Sequence, residues 1–85
     1  MALGEPGTQW LEGNELHLEL RGLAPPAPLV LVLRNLGNVP AGGALVAHFG
    51  RDPMMLYPEL AQRGWAAQRV DGPPDEVRLR LTPAA

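Results

Sequence analysis

Two stretches of the chain alternate apolar and polar residues without a break. In Glu15-Leu-His-Leu-Glu-Leu-Arg21 the side with Leu16, Leu18 and Leu20 is apolar, and His17, Glu19 and Arg21 take the other. Glu76-Val-Arg-Leu-Arg-Leu81 repeats the pattern with Val77, Leu79 and Leu81 inward. A period of two is that of a strand with one face in the core. Between them, Leu29-Val-Leu-Val-Leu33 has the composition of a buried strand. Its apolar pattern nevertheless runs on to Leu36, prolines lead into it and Gly37 offers a stop, so the residues predict a helix over 28–36.

Ala44 to Phe49, bounded by Gly42-Gly43 and Gly50, has the length of a buried strand. Asp52-Pro53 reads as a helix start, with Asp accepting from free N–H groups and Pro presetting φ. Leu56, Tyr57, Leu60, Ala61 and Gly64 follow at helical spacing, and Trp65 to Val70 reads as a strand before the turn Asp71-Gly-Pro-Pro74. The predicted order is β-α-β-α-β-β.

Two right-handed crossovers followed by a hairpin give an α/β two-layer sandwich: a four-stranded mixed sheet with both helices on one face. The polar sets on the two alternating strands predict that the other sheet face is wet. Residues 1–13 hold three glycines and one large apolar side chain, Trp10, without a period. They are expected to form a flexible leader with Trp10 folding back, ahead of a single domain over 14–85.

Composition removes most chemistry. The 85 residues contain no Cys, Ser or Lys, and the net charge is −2 with arginine as the only basic residue besides histidine. There is therefore no thiolate, disulfide, cysteine-held metal, Schiff base, P-loop or serine nucleophile. The charge balance does not suit a phosphate backbone, so no nucleic-acid partner is expected. The longest wholly apolar run is far short of the roughly 20 residues of a membrane span, and the start lacks a signal-peptide pattern, so no membrane association and a cytoplasmic location are expected. No catalytic residue, cofactor or metal is expected.

The stretch Arg21-Gly-Leu-Ala-Pro-Pro-Ala-Pro-Leu29, with Asp52-Pro53, Gly64 and Asp71-Gly72, resembles the TusA/SirA sulfur-carrier family over about three quarters of the chain. That family has an Arg-Gly-Leu-x-Cys-Pro-x-Pro-Leu signature and the same element order, and here its cysteine position is Pro25. Asp52 to Trp65 is similar to a cysteine-less branch, a bacterial domain family of unknown function whose members tend to carry Pro-Leu-Tyr and Arg-Gly-Phe/Trp. The resemblance implies the fold and no activity. It also places such domains near respiratory and nitrogen-oxide functions, which leaves two function classes. One is a non-catalytic binding or protein-interaction module on a sulfur-carrier fold without its cysteine. The alternative is a small-ligand or metal-binding accessory in redox metabolism.

Among polar candidates, His17 lies near the beginning of its strand and His48 near the end of its own, so parallel pairing is expected to hold them apart, and no third metal ligand is evident. Asp52 is expected to cap a helix, Tyr57 and Trp65 to pack at the helix–sheet seam, and Arg21, Arg78 and Arg80 to alternate with Glu19 and Glu76 on a solvated face. Met54 and Met55 are too few for a soft-metal site. A helical wheel turns Leu31 away from Leu29, Leu33 and Leu36, and Met55 away from Leu60. Both helix starts are expected at one edge of the sandwich. The predicted binding residues are Pro25, Pro26, Leu31, Met54 and Met55, an apolar patch for an unidentified protein partner or a second copy of the chain.

Overall fold

Five strands form one sheet in the computed structural model, which describes residues 7–84. Strand β1 is Gln9–Glu12, β2 is Glu15–Glu19, β3 is Ala44–Phe49, β4 is Trp65–Val70 and β5 is Val77–Pro83, in the spatial order β1-β2-β3-β5-β4. Helix α1 (Ala27–Asn35), extended by a 3₁₀ turn over Leu36–Asn38, links β2 to its parallel neighbour β3. Helix α2 (Leu56–Gln62) links β3 to β4, and the remaining pairings are antiparallel. The sheet is mixed, as expected, but has one strand more than the four predicted. The additional strand is β1, joined to β2 by the two-residue turn Gly13-Asn14 with Gly13 at φ +60°. Of the leader expected over 1–13, residues 1–6 lie outside the described residues.

Both helices pack on one face. Val32, Leu36, Leu56 and Leu60 share a core with Leu16, Leu18, Leu20, Leu45, Phe49, Val77, Leu79 and Leu81, so every apolar position of the two alternating strands points inward as expected. The core line of α1 is Val32 and Leu36, spaced by four. Leu31, expected on the outer side, is half-buried against this core, and Val30 is the exposed apolar residue of the helix. Helix α2 begins at Leu56 rather than at Asp52-Pro53, with no side-chain cap. The Asp52 carboxylate instead accepts the Tyr57 hydroxyl, which satisfies the aspartate outside the helix. Burial first, then this hydrogen bond and the Asp52 charge, push the Tyr57 pKa up to about 12. Helix α2 stops where Gly64, at φ +74°, leaves right-handed backbone and bonds back to Ala61.

The opposite sheet face is not wet along β2 and β3, although Ala66 and Gln68 of β4 are exposed on it. His17, Glu19, His48 and Glu76 are only 7%, 2%, 6% and 7% exposed. Alternation of polar residues signals solvent only while their charges lack partners, and here each carboxylate meets a guanidinium or an imidazole.

The apolar groove and the buried histidine pair

The parallel strands β2 and β3 both end under the entries to the two helices. Leu20 and Phe49, at those ends, form the floor of an apolar groove of about 850 Å³, and the segments Gly22–Pro28 and Gly50–Met55 form its walls. In open α/β sheets the loops that follow the carboxyl ends of parallel strands are where ligands bind, although here both helices lie on one face and no switch point is formed. Pro25, Pro26, Met54 and Met55 all line this groove, and Leu31 does not. Met54 and Met55, 68% and 75% exposed, give it a flexible thioether lip, and the prolines oppose them with a rigid one. Arg51 and Asp52 put one charge of each sign in the lining. Among α1 and its lead-in, Pro25, Pro26 and Pro28 offer no N–H, so this wall has few backbone donors for an anion.

On the polar face the register sets Glu19 of β2 opposite His48 of β3, and His17 opposite Val46. His17 and His48 are thus diagonal neighbours on one face, two residues apart in register, and the imidazoles lean together. His17 Nδ1 lies 2.9 Å from His48 Nε2, and His48 Nδ1 lies 2.6 Å from the Glu76 carboxylate. The expectation that parallel pairing separates them fails, because a diagonal offset is within reach of two rings. Trp10 of β1, paired with His17, stacks over both rings with centroids 5.1 and 5.5 Å away. The Trp10 indole donates to Glu12.

Guanidiniums close the array. Arg21 donates to Glu19 at 2.7 Å and approaches Glu76 at 3.5 Å, Arg78 donates to Glu76 at 2.7 Å, and Arg80 donates to Glu15 at 2.9 Å. Burial pushes the Glu76 carboxyl up, but hydrogen bonds from Arg78 and His48 outweigh it and hold the pKa below the ordinary carboxylate value. Glu19 follows the same balance, with Arg21 as its donor. Burial lowers the pKa of His17, against the opposing pull of Glu12. Its Nε2 is buried without a hydrogen-bond partner among the described residues, 3.8 Å from Glu12 and 3.7 Å from Glu15. Among the described residues, no group of three or more His, Cys, Asp or Glu side chains is arranged to hold a metal ion.

The family model described as "Uncharacterized conserved protein (DUF2249)" matches residues 17–83. The chain belongs to this family. The DUF2249 match runs from His17 within β2 to the end of β5 and includes the groove and both histidines, whereas β1 with Trp10 lies before its first residue. No curated protein and no solved structure matches the chain.

Proposed function

We propose that this DUF2249 chain is a non-catalytic binding module, working in the cytoplasm, whose groove receives an apolar segment of a protein partner. The observation that carries the reading is the groove itself, which brings together Pro25, Pro26, Met54 and Met55 where parallel strands end. Its volume is that of a small-molecule pocket, yet it is open along one side and lined by exposed methionines. Such a surface repacks around side chains of varied shape, as peptide-binding grooves do. It also lies where the resembling sulfur carriers present their thiol, so the reading extends to a sulfur-carrier-like fold that kept its docking edge without the cysteine.

Selection from a random peptide library on the immobilised full chain tests this. Enriched peptides should carry bulky apolar anchors and bind with Kd values in the micromolar range, and Met54→Asp and Met55→Asp should each weaken them about tenfold or more, by burying a charge against the anchor. Both variants should keep wild-type melting behaviour, because neither side chain is in the core. Failure to enrich such peptides, or binding indifferent to both substitutions, would remove the reading. Concentration-dependent sedimentation of the chain alone separates a second copy as occupant from a different partner.

A further inference from the structure

The four ring nitrogens of His17 and His48 form a chain between carboxylates, with Glu76 at one end and Glu12 and Glu15 at the other. Two neutral rings carry two protons, and the one placement of two that makes both hydrogen bonds leaves a buried lone pair against carboxylates. With both on the Nδ1 atoms, both bonds are made, and the bare lone pair of the buried His17 Nε2 faces Glu12 at 3.8 Å and Glu15 at 3.7 Å. With both on the Nε2 atoms, the lone pair of His48 Nδ1 faces the Glu76 oxygen at 2.6 Å. With protons only at the two outer nitrogens, two lone pairs meet at 2.9 Å between the rings. A third proton, on His17 Nε2, keeps the bond from His48 Nδ1 to Glu76 and the bond between the rings, and turns the repulsion from Glu12 and Glu15 into attraction.

Two independent observations point the same way. The connected array on this face holds four carboxylates, Glu12, Glu15, Glu19 and Glu76, against three guanidiniums, Arg21, Arg78 and Arg80, so one further positive charge makes it neutral. Trp10 lies flat over both rings, the placement in which an indole face attracts a cation. Arg21 and Arg78 oppose the charge, but both are engaged with Glu19 or Glu76.

We propose that the His17–His48 pair shares three ring protons at neutral pH, and that the resulting charge clamps β1 onto the sheet through Trp10, so that losing one proton in alkali releases Trp10. The pair then titrates as a unit in two steps.

Long-range ¹H–¹⁵N spectra of the histidine rings in the full chain, recorded from acid to alkali, read the protons directly. At neutral pH, His48 Nδ1 and His17 Nε2 should both show protonated nitrogen shifts, with the inner two nitrogens intermediate. As pH rises, one proton should leave, and the ring-current shifts of the Trp10 aromatic protons, assigned with Trp10→Phe, should collapse in the same step. Glu76→Gln should move that step to lower pH. An unprotonated outer nitrogen at neutral pH would overturn the proposal, and so would Trp10 shifts that ignore the titration. A zinc-dependent change at His17 Nε2 would also overturn it, because the lone pair would then be free for a metal. These readouts do not involve the groove, so they stand or fall apart from peptide binding.

Discussion

Removing the Glu76 carboxylate should be among the most damaging single changes on the polar face. Its side chain is 2% exposed, and it receives His48 Nδ1 at 2.6 Å and Arg78 Nε at 2.7 Å, with Arg21 at 3.5 Å. Taking one member from a buried ion pair costs about 3–5 kcal/mol, because the partner charge stays buried. Arg21 and Arg78 keep 37% and 30% of their side chains in solvent and can recover hydration, which places Glu76→Ala at the lower end, about 3 kcal/mol. For a domain of this size that is a fall in Tm of roughly 12–24 °C. Urea denaturation measures it, with Arg63→Ala as the control. That arginine forms an exposed pair with Glu59 one helical turn away, and its loss should cost only about 0.3–0.5 kcal/mol. Glu76→Gln keeps the volume and loses the charge, so it should recover less than half of the Ala deficit. A loss below about 1 kcal/mol for Glu76→Ala would show that solvent or rearranged neighbours satisfy His48 and Arg78, and the account of this face would be wrong.

Stability should also fall on acidification in two stages. His17 has its pKa lowered from 6.5 by burial, so its contribution is present above that value and lost as pH drops below it. Glu19 and Glu76 have theirs lowered from 4.5, and their contribution is lost as pH falls through that value toward the lower folded ones. A urea midpoint that stays level from neutral pH to below 4 would contradict both. Tyr57 is the only tyrosine, so an alkaline absorbance titration reads it alone, with ionisation near 12 in the folded chain and a lower value in Asp52→Asn. Since its pKa is raised, the contribution of Tyr57 to stability is present below the unfolded value and lost as pH climbs through the folded one. On α1, Val32→Asp should prevent folding, since Val32 is 0% exposed, whereas Val30→Asp, at a position 40% exposed, should change stability by less than about 0.5 kcal/mol. Equal effects at the two positions would mean the helix is rotated.

The element order from β2 onward was legible because each piece carried its own signal. Leu29 to Leu36 is a helix despite two β-branched valines because prolines at its start and Gly37 at its end leave no strand-like bounds. β1 escaped because Gln-Trp-Leu-Glu has no alternation. The signal that could have found it was Gly13-Asn14, a two-residue hairpin turn directly before an alternating strand. Four of the five predicted groove residues converge, since their exposure follows from loops at strand ends. Leu31 does not, because it lies on the flank of α1 beside Val32, half-buried against the core, and Val30 takes the exposed side. The histidine pair was not legible, because it depends on a register offset between β2 and β3 that no local pattern records.

That register ties the two faces of the sheet together. His48 and Phe49 are consecutive on β3, one in the polar array and the other in the groove floor. The Leu20 N–H donates to the His48 carbonyl at 2.9 Å, which fixes the two floor residues against each other. Sliding β3 by one residue against β2 would turn His48 into the leucine core and Phe49 onto the charged face. An all-apolar sheet would resist such a slip only through packing, whereas here it also takes His48 from His17 and Glu76 and drives its imidazole into the leucine core, at the cost of a buried polar group without partners. The groove walls start just after Leu20 and Phe49, so its shape depends on a floor held in one register. The charged residues behind the floor thus help hold Leu20 and Phe49 in register without contributing an atom to the groove.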